Sequence, residues 1–223
     1  LYLVDSGGQY SFGTTDVTRT ISLGNNSKFI KEIYTRVLKG HIAVSDYKVR
    51  KSTKGSDIDL NARKSLKKIG LDYPHGTGHG VGYFLNVHEG PHRIGKGSNK
   101  VPLKEGMVVS NEPGYYEEGK FGIRIENLIF VKQIDEVNGK ILLGFENLTF
   151  VPIDTRLLDL SLLTQKNHIC VFVIIIQQLK IRFFYLRKQF LNIITESKII
   201  FHTSFSKDII RYISFFAYLL ELV

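Results

Sequence analysis

Hydrophobic and polar positions along this chain fall into short runs with a period of two and longer runs with a helical period. Residues 1–5 and 16–22 alternate as strands do, and Gly7, Gly8 and Gly13 supply turn residues between them, so the start of the chain predicts a β-hairpin. Residues 28–40 carry apolar side chains at helical spacing and predict a helix that ends near His41. Farther on, residues 107–112 predict a short strand, residues 113–122 a connection, and residues 123–131 a return strand. Along that return strand the two-residue period puts Arg124 and Glu126 on one face and Ile123 and Ile125 on the other.

This pattern splits two pairs of carboxylates across two hairpins: Asp5 with Asp16, and Glu112 with Glu126. His79 lies between them, inside His75-Gly76-Thr77-Gly78-His79-Gly80-Val81-Gly82. A lone acidic residue in a hairpin is most often a solvated turn or edge residue. Here Asp16 follows two threonines, Glu112 precedes a proline and Glu126 is flanked by an apolar strand, which are poor places for solvent-facing carboxylates. Burying Arg and Glu on one strand face needs a charged partner there. Four carboxylates and one imidazole suit two hard divalent ions sharing bridging oxygens better than a structural zinc ion, which favours thiolate and imidazole. The glycine-rich run invites a phosphate-loop reading, but it lacks the dinucleotide spacing and has no lysine followed by Ser or Thr. Its glycines instead predict close passage of the backbone past the metals and a peptide.

Six separated blocks carry a family resemblance. They are Asp5-Ser6-Gly7-Gly8-Gln9-Tyr10, Gly13 to Thr20, the run from His75 to Gly82, Asn86-Val87-His88-Glu89-Gly90-Pro91, Asn111-Glu112-Pro113-Gly114-Tyr115-Tyr116 and Gly122-Ile123-Arg124-Ile125-Glu126-Asn127. Together they resemble the catalytic domain of the Xaa-Pro aminopeptidase (aminopeptidase P) family. The resemblance implies an α/β (α+β) pita-bread fold, a curved antiparallel sheet with flanking helices, and a site for two Mn²⁺ ions, with Co²⁺ or Zn²⁺ as alternatives. It implies that Asp5 chelates the first metal, that Asp16 and Glu126 bridge both, and that His79 and Glu112 complete the second. Two such ions roughly 3.5–4 Å apart lower the pKa of a shared water and polarise the scissile carbonyl. Glu112 doubles as acceptor of that water's proton.

The resemblance also assigns His41, His75 and His88 to substrate orientation, oxyanion stabilisation or proton delivery to the leaving nitrogen, roles an imidazole fills near neutral pH. His41 has a competing explanation, because a histidine at a helix C-terminus complements the helix dipole. His92, His168 and His202 read as ordinary surface or core residues. Arg124 is expected to hydrogen-bond the Asp16 carboxylate and hold that bridge in place.

Residues 84–91 and the Tyr115-Tyr116 pair resemble aminopeptidase P more than prolidase, which implies peptide substrates with proline in second position, with a prolidase-like dipeptidase as the alternative. The competing class is a metal-free pita-bread module that binds peptide or protein; loss of ligands would mark it, and none is lost. Relatives imply a homodimer of the full-length protein.

Composition divides the chain. All 20 glycines lie at or before Gly144 and all five prolines at or before Pro152, and in residues 168–223 the hydrophobic count reaches 34 of 56. The expected organisation is a partial peptidase domain over residues 1–166 and a non-homologous hydrophobic and basic tail over residues 167–223, such as retained intron or shifted frame. The opening on Leu1 in mid-strand suggests a C-terminal piece of a longer enzyme. The net charge of +9 is dispersed, with seven basic and three acidic residues in the tail, and reads as a solvated face rather than a nucleic-acid surface. The apolar run 169–176 is too short for a bilayer span of roughly 18–20 residues, so membrane attachment is not expected. One cysteine, Cys170, favours a reducing, cytoplasmic setting.

Overall fold

The first hairpin forms as the alternation predicts, and each of its strands runs longer. In the computed structural model, which describes residues 1–50, 53–97, 101–137 and 139–175, β1 (Tyr2–Tyr10) pairs antiparallel with β2 (Gly13–Ile21). Helix α1 (Lys28–Ser45) starts where the Ser27 hydroxyl accepts from the Ile30 amide at 3.3 Å, an N-cap contact. It runs past the expected end, because Ile42 and Val44 continue its buried stripe after Gly40. Helix α2 (Gly55–Lys67) packs against it at Gly40, where a Cβ would come within 2.4 Å of the Ala62 carbonyl oxygen. A larger residue at position 40 would therefore push the two helices apart.

Strands β3 (Gly78–His79) and β4 (Arg93–Ile94) form a two-residue ladder, and β5 (Val108–Asn111), β8 (Asn127–Val137) and β9 (Lys140–Asn147) form a three-stranded sheet in the order β5-β8-β9. The main core lies between this sheet and the helices: Val44, Val49, Ile58, Ala62, Ile94, Leu103, Val109, Ile129 and Val131 are buried together. Residues 165–175 are helical, and the rest of the proposed tail lies outside the described residues.

The second hairpin departs from the expectation of one strand, one loop and one return strand. The connection folds into its own hairpin, β6 (Gly114–Glu117) with β7 (Phe121–Arg124), and the return strand breaks at Ile125-Glu126 before β8 begins. Alternation persists through the break, since Ile123 and Ile125 are both fully buried on one side. That persistence made two strands read as one. The break lets Glu126 leave the β5–β8 ladder: its amide donates to the Thr18 carbonyl of β2 at 3.1 Å, joining the first hairpin to the second.

Candidate metal centre

Strand register puts the first carboxylates together. Asp5 lies opposite Thr18, and Asp16 lies opposite Gly7, so Asp5, Asp16 and Thr18 share one face of the β1–β2 hairpin as a diagonal set. Glu112 and Glu126 sit in the gap between two ladders, flanked by the Asn111–Asn127 pair and the Gly114–Arg124 pair. The Glu112 amide donates to the Thr77 carbonyl at 2.8 Å, and Ser110 Oγ donates to Glu112 Oε1 at 2.9 Å. His79 is fixed from two sides: its amide donates to Ser110 Oγ at 2.9 Å, and its Nδ1 lies 2.9 Å from the Gly80 carbonyl, which holds the proton on Nδ1. Gly78 permits this approach, since a Cβ there would lie 1.9 Å from the Ser110 carbonyl oxygen.

Nε2 of His79 consequently faces the carboxylates, 3.4 Å from both Asp16 Oδ2 and Glu112 Oε1. Three sets of ligand atoms each fall within 4.8 Å of one another: Asp5, Asp16 and Glu126; His79, Glu112 and Glu126; and Asp16, His79 and His88. Glu126, Asp16 and His79 each belong to two of these sets, and of the three only the two carboxylates have oxygens that two ion positions could share. All five residues line a cleft of about 370 Å³, together with His88, Gln9, Leu85 and Val87.

The electrostatics reflect acidic groups crowded at one place. Burial, followed by the charges of Glu112 and Asp16, raises the Glu126 carboxyl to about 7, against the hydrogen bond from Thr18 and the charge of Arg124. Burial disfavours the His79 imidazolium, but the Asp16 hydrogen bond, the Gly80 carbonyl and the Glu112 charge outweigh it and raise its pKa. Oxygen-rich donors with one imidazole suit two hard or borderline divalent cations, so the residues present fit the implied metals.

Arg124 departs from its expected partner. Its Nη2 donates to Asp5 Oδ2 at 2.5 Å, its Nε donates to Thr18 Oγ1 at 3.0 Å, and its closest approach to Glu126 is 3.9 Å. It thus secures Asp5 rather than Asp16, because Asp5 is the carboxylate directly opposite Thr18. Through Nη1 it also donates to the Tyr116 hydroxyl at 2.9 Å, and that hydroxyl lies 2.8 Å from His75 Nε2. His75 Nδ1 lies 2.6 Å from the Gly76 carbonyl, so the proton sits on Nδ1 and Nε2 accepts from Tyr116. Burial lowers the His75 pKa despite the Gly76 carbonyl, favouring the neutral ring.

His88 is exposed at the cleft, its ring centroid 4.2 Å from that of His79. His41 is not at the cleft. It lies within α1 with 2% exposure, both ring nitrogens lack a partner among the described residues, and burial, aided by the charge of Arg19, pushes its imidazole down to about 3. The extra helical turn beyond Gly40 also removes the helix-end explanation. His92 Nε2 meets the Val108 carbonyl at 2.8 Å, as an ordinary packed histidine does; His168 is exposed, and His202 lies outside the described residues.

Thr18 was missed by sequence reasoning, although its hydroxyl donates to Glu126 Oε2 at 2.5 Å and it stands two residues from Asp16 on the same strand face. The two-residue period that singled out Arg124 would also have found it.

Comparison with known proteins agrees with this geometry. Residues 1–133 match metallopeptidase family M24, and residues 141–169 match the C-terminal region of peptidase M24. The chain is 54% identical over 172 residues to a probable Xaa-Pro aminopeptidase P of Laccaria bicolor, covering 75% of this chain and 27% of that protein. It is 55% identical over 168 residues to aminopeptidase P2 of Arabidopsis thaliana, covering 74% and 24%. Thus the chain spans about a quarter of the length of the curated relatives it matches. Among solved structures, the X-prolyl aminopeptidase of Caenorhabditis elegans, described as a cytosolic enzyme with a di-nuclear active site, superposes with a TM-score of 0.79 at 42% identity, covering 83% of this chain and 30% of that one. A prolidase from Pyrococcus furiosus superposes less closely, with a TM-score of 0.54 at 31% identity, covering 65% and 40%. The fold is the pita-bread arrangement, represented here over part of its extent.

Proposed function

The chain belongs to metallopeptidase family M24, and from that premise we propose that it acts as a metalloaminopeptidase that hydrolyses the N-terminal Xaa-Pro bond of peptides. The observation that carries this reading is the pair of ligand sets Asp5-Asp16-Glu126 and His79-Glu112-Glu126, joined at Glu126. Two divalent ions held there would lower the pKa of a shared water and polarise the scissile carbonyl. Mn²⁺ is the proposed pair; the oxygen-rich donor set supports a hard or borderline ion without selecting it.

The chain's own residues do the positioning and the proton work. Asp5 is held in place by Arg124, and Glu126 by Thr18. Glu112 accepts the proton of the attacking water, and the Ser110 hydroxyl orients its carboxylate. His88, open to solvent beside His79, is placed to meet the departing proline nitrogen or the carbonyl oxygen. His75, kept neutral with Nε2 toward Tyr116, holds that hydroxyl and through it the Arg124 fork, so its part is to orient the arginine that grips Asp5.

Similarity to aminopeptidases P at 54–55% identity supports cleavage of longer peptides rather than of dipeptides alone. A cytoplasmic setting is supported by the cytosolic C. elegans neighbour. Homodimer formation belongs to the same proposal and is read by light scattering. So does the division near residue 166, supported by the end of the family's C-terminal match at residue 169; sequencing the transcript across residues 165–170 tests whether the tail is continuous exon.

The test is hydrolysis of an Xaa-Pro-Xaa tripeptide beside the Xaa-Pro dipeptide by the Mn²⁺-loaded chain. Release of the first residue from the tripeptide, with little turnover of the dipeptide, is expected. Preferential dipeptide cleavage would replace the reading with a prolidase-like one, and no cleavage of either by a chain that holds two ions would leave a binding module.

A further inference from the structure

One wall of the cleft is held by a side chain that no step above uses. The Gln9 carboxamide, near the tip of the β1–β2 hairpin, spans to the loop that follows the glycine-rich run. Its Oε1 accepts from the Leu85 amide at 2.9 Å and from Thr14 Oγ1 at 2.6 Å, while its Nε2 lies 3.3 Å from the Tyr83 carbonyl and 2.9 Å from the Tyr10 carbonyl. The Tyr83 hydroxyl adds a bond of 3.0 Å to the Ser11 carbonyl. Gln9 therefore reads both backbone polarities of the loop at once, which a carboxamide can do and a carboxylate or hydrocarbon cannot.

The loop needs that hold. Leu85 has φ of +67°, the one non-glycine positive φ among the described residues, and a γ-branched side chain adopts it only where its surroundings over-determine the backbone. The Asn86 amide bonds to Phe84 and the Val87 amide to Leu85, so the turn is tight on its own side and is pinned to the hairpin by Gln9 on the other. The outcome is a 67% exposed leucine lining the same cleft as His79, Glu112 and Glu126. An exposed apolar side chain, held in a strained conformation beside a charged centre, is a contact surface for a ligand with an apolar part.

We propose that Gln9 is a positioning residue that holds Leu85, with Val87, as the apolar wall against which a peptide substrate lies beside the carboxylate cluster. This rests on the peptidase reading of the same cleft. The proline ring and the side chain after it are the apolar parts of such a peptide, and the wall takes one of them out of water.

The experiment uses the Mn²⁺-loaded full chain and a tripeptide Xaa-Pro-Phe whose Xaa-Pro amide is reduced to –CH₂–N<, so that it binds without being cleaved. Titration calorimetry is run on wild type, Gln9→Met, Leu85→Ala and Leu85→Met, with elemental analysis of bound manganese on each. Expected are about two ions in every variant and a Kd raised about five- to twentyfold in Gln9→Met and Leu85→Ala, the loss of a leucyl contact, with Leu85→Met close to wild type. With the cleavable peptide, the same two variants raise KM more than they lower kcat, a split that general loss of fold would not produce. Unchanged Kd in Leu85→Ala with two ions bound would overturn the wall and leave the metal reading standing. Weaker binding in Leu85→Ala but not in Gln9→Met would overturn the role of Gln9. Absence of bound metal in wild type would overturn the peptidase reading and this inference with it.

Discussion

The Arg63 guanidinium on α2 donates to the backbone carbonyl of His75 at 2.6 Å, tying a buried helix to the loop that carries His75 and His79. Its other donors reach Asp59 Oδ2, Asp72 Oδ1 and the Tyr73 carbonyl, each at 2.7 Å, and its Cζ lies over the Tyr73 ring, 3.8 Å from the centroid. Thr77 closes the circuit: its hydroxyl donates to Asp59 Oδ1 at 2.6 Å, and its carbonyl accepts from the Glu112 amide at 2.8 Å. A fully buried cation thus aligns, through the backbone carbonyl of His75 and through the Asp59 and Thr77 side chains, the segments that bear His79 and Glu112. Arg63→Met leaves Asp59 buried and unpaired, which costs about 3–5 kcal/mol, whereas a surface ion pair would cost about 0–1. Urea denaturation of the two chains checks this; a midpoint shift no larger than that of Lys120→Met, whose pair with Glu117 is exposed, would count against it.

Thr18 and Arg124 act on metal affinity from behind the carboxylates. Thr18→Val removes the hydroxyl shared by Glu126 and Arg124, and Arg124→Met frees Asp5. Each is expected to weaken Mn²⁺ binding about 10–100-fold, the usual range for partners that orient ligands. Competition with a chelator of known affinity measures it, and equal affinity in Thr18→Val would show that the short bond to Glu126 does not orient the ligand.

Metal-free stability should rise when Glu126, the carboxylate common to two ligand sets, is neutralised. Glu126 is 2% exposed and is pushed toward its protonated form by burial and by Glu112, so Glu126→Gln relieves a buried like-charge contact. A gain of about 1–2 kcal/mol in chelator at pH 8 is expected, with loss of metal binding, the usual opposition between stability and function. Equal or lower metal-free stability would indicate that Glu126 is already compensated.

His41 gives a pH dependence of opposite origin. Its folded-state pKa is depressed to about 3 by burial, below an unfolded value of about 6.5, so the unfolded chain binds the proton first as pH falls. The stability it contributes is present above about pH 6.5 and is lost as pH drops toward 3, at about 1.4 kcal/mol per pH unit within that window. His41→Phe should flatten the loss between pH 6.5 and 5 by that slope in equilibrium unfolding. An identical profile in both chains would show that His41 is protonated while folded.

Much of the site was legible because strands carry a strict period. Asp5, Asp16 and Glu126 each fall on a strand or at its end, so alternation fixed their faces, and His79 followed from its glycine-rich run. Three features were not legible. The break at Ile125-Glu126 preserves alternation, so nothing in the pattern separates two strands from one. The partner of Arg124 depends on the register of β1 with β2, which places Asp5 opposite Thr18 and which hairpin composition leaves open. His41 came to the site through the family resemblance alone, and the sequence pattern did not show that its helix buries it away from the cleft.

Manganese content after Mn²⁺ loading and exhaustive dialysis, with Glu126→Ala alongside, decides whether two ions are held around Glu126. About two ions per wild-type chain are expected. In Glu126→Ala, which removes the carboxylate common to the Asp5-Asp16-Glu126 and His79-Glu112-Glu126 sets, fewer than one is expected. Two ions retained by Glu126→Ala, or none held by wild type, would contradict a centre built around a shared Glu126.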